Sequence, residues 1–199
     1  TVLISRYLGE KRNERIGGVI GGTVCFFVIF TAVIMALLLF LASVFVSLLN
    51  APEQAYDLTV QYVRICGVGI VFVVAYNVIS GIFRGLGNSK LPLIFVLIAC
   101  IVNVIGDLLF VAVFHMNVAG AALATILAQA VSVVLSLFII RRQKLPFTIK
   151  KSDIRFNREI LVFLKLGIPL ALQEMLTNIS FLILCAIVNG IGLEASSGY

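Results

Sequence analysis

Long apolar runs separated by clustered charges dominate the pattern of this chain. Between Arg15 and Glu53 lie 37 residues without a charge. About 20 helical residues cross a hydrocarbon layer of ~30 Å, so this run alone spans a membrane with margin and predicts a helix over 16–49. The next charge-free stretch, Ile65–Phe83, holds 19 residues between Arg64 and Arg84, whose long stems carry their charges to the two interfaces. With an interfacial start it predicts a second span over 52–84. Leu91–Phe114 carries one charge, Asp107, and Val118–Ile140 carries none. The three residues between them, His115, Met116 and Asn117, leave room only for a tight hairpin, so 91–114 and 118–140 are the third and fourth spans. A fifth, over 160–191, starts after Asn157 as its N-cap and carries Lys165, Pro169 and Glu174. Every backbone group is then satisfied within a helix, as lipid requires. The expected fold class is an all-α, polytopic transmembrane helix bundle.

Charge placement adds an orientation. One side receives residues 1–15, the turn at 84–91 and a basic loop at 141–159, and together with Lys165 these hold fourteen of the 15 Lys and Arg; the other side has Arg64. Basic loops stay inside, so those three segments are expected to be cytoplasmic and Pro52 and His115 external, in a multi-pass cell-membrane protein. The net charge of +6 is thereby a matter of topology and anionic lipid, with no nucleic-acid role. Composition agrees: 61% hydrophobic residues, 12% charged and a mean hydropathy of +1.16 exclude both a soluble globule and a disordered chain. Cys25, Cys66, Cys100 and Cys185 sit inside the apolar runs without C-x-x-C spacing, so neither a disulfide framework nor a zinc site is indicated. The opening Thr-Val-Leu-Ile-Ser reads as the last turn of a helix, making 1–15 a loop after a truncated helix and 192–199 a truncated external end. A piece of a larger protein is expected.

Candidate chemistry lies on the third and fourth spans. A carboxylate in hydrocarbon is expensive, so Asp107 must face protein or water, or hold a proton. Counted from the hairpin, Asp107 and Thr125 fall level, roughly 12 Å below the outer turn, and Asn103 pairs with Gln129 at about 18 Å. Asn103 is one turn from Asp107, and Thr125, Gln129, Ser132 and Ser136 continue the opposite stripe. Gly120, Ala124 and Ala128 let the fourth span approach a neighbour closely. These side chains offer oxygen ligands, which suit Na⁺, a proton, or competition between them. The alternative is that Asp107 only ties helices together. Asn77 is placed to line the inner part of the same cavity or to hydrogen-bond between helices. Beside Pro169, Glu174 with Asn178 on its face is a candidate for substrate or proton binding, or for an internal hydrogen bond.

Several motifs carry a family resemblance across the chain. Ser5-Arg6-Tyr7-Leu8-Gly9-Glu10-Lys11 resembles the loop after the second helix of the multidrug and toxic compound extrusion (MATE) transporters. Phe83-Arg84-Gly85-Leu86-Gly87-Asn88-Ser89-Lys90 with Pro92 is similar to their loop between helices four and five, and Asn103 to Asp107 resembles their fifth-helix N-x-x-x-D. Val118-Ala119-Gly120-Ala121-Ala122-Leu123-Ala124-Thr125 resembles their sixth-helix opening, and Gly167-Ile168-Pro169 the start of their second half. Asn117 stands where the family usually has Gly, and Glu174 is not a general family feature. The resemblance implies helices three to seven of a twelve-helix antiporter with two pseudo-symmetric lobes. It implies further that Asn103, Asp107 and Thr125 help form a cation site, whose partner carboxylate lies on a first helix outside this sequence.

The expected function is a secondary active exporter of multiple drugs and organic cations, driven by Na⁺ or H⁺ influx through alternating access, with no other cofactor. Its partners are then the bilayer, small and often cationic organic substrates, and the remaining helices. A flippase for a lipid-linked oligosaccharide is the alternative; it calls for a large cavity lined with basic residues, which the spans lack. For an intramembrane enzyme there is no H-E-x-x-H, no G-x-S-x-G and no pair of carboxylates on one helix.

Overall fold

The computed structural model describes residues 1–48, 53–142 and 158–191, divided between two units, residues 1–156 and 157–199. In the first unit, α1 (Val2–Gly9) is followed by α2 (Asn13–Phe40), α3 (Ala42–Leu48), α4 (Glu53–Gly85), α5 (Lys90–Asp107) and α6 (Asn117–Arg142). A π-helical segment, Leu108–Val113, continues α5. The second unit is described by α7 (Arg158–Ile191), with Pro169 inside it.

Five of these helical stretches are long and apolar enough to cross a membrane, and at most 28% of the most apolar window in any of them is buried. Buried core helices would hide far more. Phe40, Leu93 and Phe114 are among many large apolar side chains left on the outside, which is the surface expected of a chain solvated by lipid.

The first 15 residues are not a loop. Helix α1 runs to Gly9, where Lys11 at φ +56° breaks the path, and it buries Leu3, Ile4 and Tyr7. Its hydroxyls reach the end of α4: Thr1 Oγ1 donates to the Gly81 carbonyl (3.2 Å) and Ser5 Oγ to the Gly85 carbonyl (2.9 Å). Gly85 is required for this approach, since a Cβ there would lie 2.8 Å from Cβ of Ile4. After α1, the Arg6 guanidinium donates to Glu10 (2.9 Å) and holds its carboxyl below the usual carboxylate range.

The expected single helix over 16–49 is also two pieces. Helix α2 ends at Phe40, and Leu41 (φ −105°, ψ 12°) turns the chain into α3. No Gly or Pro marks the break; tertiary packing makes it. Ala42 and Val46 of α3 bury themselves against Val60 of α4, and the Tyr56 hydroxyl donates to the Ser43 carbonyl (3.1 Å).

Helix α6 packs between α4 and α5. The small residues anticipated on it do bring neighbours close. Ala124 and Ala128 are buried, and a Cβ on Gly106 of α5 would stand 2.9 Å from Cβ of Ala124. The hairpin joining α5 to α6 places His115 and Asn117 at φ +52° and +50°. Asn is one of the few residues that accept this left-handed conformation, which explains how it stands where the resemblance suggests Gly. The basic loop lies mostly at 143–157 and, with Asn157 and 192–199, falls outside the described residues.

Candidate functional site

Helix α5 delivers Asp107 at the junction where α-helical winding gives way to π. One of its carboxylate oxygens, Oδ1, is buried with no hydrogen-bond partner among the described residues. Such an atom is costly to bury, and π segments recur at functional sites in helices. One turn earlier, Asn103 Nδ2 donates to Thr125 Oγ1 of α6 (3.4 Å), and Thr125 in turn donates to the Ala121 carbonyl (3.0 Å).

The pairing across the hairpin differs from the count made on the sequence. Asn103 faces Thr125, not Gln129, and Gly106 rather than Asp107 lies against the Thr125 turn, at Ala124. The π segment contributes to this offset. Its wider turns advance less per residue than α-helix, so α5 uses more residues than α6 to reach a given depth. Phe114 to Met116 adds to the offset by leaving the helix, with Phe114 N–H bonded to the Leu109 carbonyl and Met116 N–H to that of Phe110.

A cavity of about 250 Å³ opens beside this pair, lined by Tyr76, Cys100, Asn103, Thr125, Gln129 and Ser132 among others. Gln129, expected from the sequence, is therefore at the cavity. Tyr76 and Ser132 form part of its wall and bind the α5 backbone: the Tyr76 hydroxyl donates to the Pro92 carbonyl (3.0 Å) and Ser132 Oγ to the Phe95 carbonyl (2.9 Å). The signal for Tyr76 was present, because a Tyr instead of Phe inside a span brings a hydroxyl that needs a partner.

Other candidates stand apart. Asn77 is exposed and donates to the Val73 carbonyl of its own helix (2.8 Å), so it does not line this cavity. Glu174 and Asn178 belong to α7, where both are exposed in the second unit. A second cavity, about 460 Å³, is walled by α2, α4 and α6 and is almost wholly apolar, with Phe27, Met35 and Val133 in its lining.

Chemically, the Asp107 carboxylate, the oxygen of the Asn103 amide one turn before it and the Thr125 hydroxyl that Asn103 bonds are all hard oxygen donors. A small cation replaces lost hydration at such donors, and a proton neutralises the carboxylate directly.

Comparison with known proteins agrees with this architecture. The MatE family profile matches residues 1–109. The chain is 38% identical over 161 residues to the probable multidrug resistance protein YpnP of Bacillus subtilis, covering 80% of this chain and 36% of that protein. It is 26% identical over 197 residues to the multidrug export protein MepA of Staphylococcus saprophyticus, covering 98% of this chain and 44% of the relative. A crystal structure of MATE in the straight conformation superposes with a TM-score of 0.82 at 27% identity, over 95% of this chain and 42% of that one. The chain thus spans less than half the length of these relatives. With the profile covering more than half of its residues, the chain belongs to the MatE family, the multidrug and toxic compound extrusion transporters.

Proposed function

We propose that this chain forms part of a secondary active exporter of multiple drugs and organic cations, in which Na⁺ or H⁺ moving inward at Asp107 drives substrate outward. The observation that carries the reading is the buried, unpartnered Oδ1 of Asp107 one turn from the Asn103–Thr125 bond. A group so placed gains a partner whenever a cation or proton arrives, and that gain is the differential binding free energy that coupling needs. Cation-bound and cation-free states then favour opposite openings of the two lobes. The Lys and Arg distribution supports 1–15, 84–91 and 141–159 as the cytoplasmic segments, so the hairpin at His115 faces outward. Substrates are small organic molecules, as the names of the relatives suggest, and Glu174 and Asn178 of α7 are candidates to meet them from the second lobe. The lipid-linked flippase gains no support, because neither cavity described above has a basic residue in its lining.

The test is dye export from proteoliposomes holding the full-length protein, with Na⁺ and pH gradients imposed separately. Asp107→Asn is expected to bring gradient-driven export down to the level of empty vesicles while the folded protein remains in the membrane. Undiminished export by that variant refutes the reading.

A further inference from the structure

The turn joining α1 to α2 gathers charge at the end of a helix long and apolar enough to span a membrane. Arg6, Lys11, Arg12 and Arg15 fall within residues 6–15 and outnumber Glu10 and Glu14, and each of these residues is exposed. We propose that this turn binds the headgroup of an anionic phospholipid, with the Arg6 and Arg12 guanidinium groups and the Lys11 ammonium holding its phosphate. The inference stands apart from the exporter reading, since it involves neither Asp107 nor either cavity.

Glu10 sets the geometry. Its Oε1 accepts from Arg6 Nε (2.9 Å) and its Oε2 lies 3.4 Å from Arg12 Nη1, so one carboxylate draws together two guanidinium groups from opposite sides of the turn. Arg6 spends only Nε on that contact and Arg12 only one Nη, which leaves the other N–H donors of both forks for a ligand. These two side chains are 66% and 59% exposed, so the donors are within reach of one. Lys11, between Glu10 and Arg12 at φ +56°, makes no ion pair with a described residue. Arg15 is held differently, its guanidinium 5.9 Å over the ring of buried Tyr7, where it adds to the positive field. Two guanidinium groups and an ammonium around one carboxylate keep a net positive charge at the turn. A phosphodiester spreads its charge over two oxygens, which paired guanidinium groups match by donating in parallel.

Position selects a lipid over a soluble anion. Helix α2 starts at Asn13 and is apolar enough to cross a membrane, so the turn before it lies at headgroup depth. Groups of about four to eight Lys and Arg next to a span are drawn to the anionic surface of a bilayer. The rest of α1 is fixed to the protein: Leu3, Ile4 and Tyr7 are buried, and the Thr1 and Ser5 hydroxyls donate to the Gly81 and Gly85 carbonyls of α4. A headgroup held at the turn therefore braces α1 and α2 beside the end of α4, and thermal stability should depend on anionic lipid.

The test titrates the purified full-length protein, in neutral detergent, with phosphatidylglycerol or phosphatidylcholine, counting bound lipid by native mass spectrometry and following thermal unfolding. Phosphatidylglycerol is expected to bind first and to raise the unfolding temperature, whereas phosphatidylcholine does neither. Each basic side chain removed should weaken the first phosphatidylglycerol about fivefold, so Lys11→Ala with Arg12→Ala weakens it more than about tenfold. Arg141→Ala with Arg142→Ala removes the same charge from the end of α6 and should leave that first lipid bound as before. Should the Lys11 and Arg12 pair fold poorly, Lys11→Gln serves, with the fivefold loss expected of one cation. Equal losses in the two double variants would mean diffuse attraction by net charge and overturn the site. So would full binding by a folded Lys11→Gln protein, equal binding of the two lipids, or displacement of phosphatidylglycerol by an equal concentration of inorganic phosphate, which would make the ligand a soluble anion.

Discussion

The Asp107 carboxylate and the Thr125 hydroxyl differ in what their loss should cost. Thr125 Oγ1 accepts from Asn103 at 3.4 Å, a long bond, and donates to a carbonyl of its own helix. Thr125→Val keeps the shape, removes both, and leaves the Asn103 amide without its acceptor. A half-buried amide so stranded costs about 0.5–1.5 kcal/mol in stability, and the length of the bond puts it toward the lower end. If the hydroxyl also ligates the coupling cation, affinity should fall about tenfold, or ~1.4 kcal/mol. Equilibrium binding of radioactive Na⁺ or proton uptake on purified protein measures this, with Thr125→Ser as the variant that restores the oxygen. An unaltered affinity in Thr125→Val would remove Thr125 from the site. At this scale the sequence was informative about residue type and less so about pairing. Asp, Asn, Thr and Gln inside apolar runs announce themselves by their cost in lipid. Asn77 announced itself equally, yet its amide is spent on the Val73 carbonyl, a local bond that spacing alone does not distinguish from an interhelical one.

Two elements depart from what their sequences suggest, and neither has a breaker residue to blame. Leu41 interrupts a run of aliphatic and aromatic residues because α3 gains burial of Ala42 and Val46 by turning onto α4. Leu108–Val113 winds as π-helix, and a Cβ on Gly120 would come within 2.9 Å of Cβ of Phe110 in this segment. Charge gaps give the existence and length of a span, whereas its winding depends on what packs against it; hence the spans were legible and the register between α5 and α6 was not. The close approach of those helices is nevertheless encoded locally, in Gly106 and Ala124. Gly106→Ala would set two Cβ atoms 2.9 Å apart. Neither can rotate away, so the helices must separate, at a cost of about 1–3 kcal/mol, as for other overpacked interiors. Thermal unfolding in detergent should show the loss, and Ala124→Gly added to Gly106→Ala should return part of it. Purely additive effects in that pair would mean that the two residues do not share a contact.

For the whole molecule, orientation is the property on which ion coupling depends, since a cation can drive export only if its site is reached from the side of higher electrochemical potential. Counted along the sequence, fourteen of the 15 basic residues are expected on one side of the spans and Arg64 on the other. Each Lys or Arg near an anionic leaflet contributes about 1 kcal/mol, and this bias is the argument for the proposed cytoplasmic placement of 1–15, 84–91 and 141–159. The fold makes the consequence testable at two exposed turns. His115 lies at the tip of the α5–α6 hairpin, beyond Asp107, and Ser89 lies in the turn between α4 and α5, beyond the Phe83–Phe95 cluster. In full-length protein otherwise free of cysteine, His115→Cys should react with an impermeant maleimide on intact cells, and Ser89→Cys should react only after the membrane is permeabilised. The reverse pattern would put Asp107 nearer the cytoplasm than the aromatic cluster. The cation would then meet the carboxylate from the wrong side, and inward ion movement through this lobe would no longer account for export.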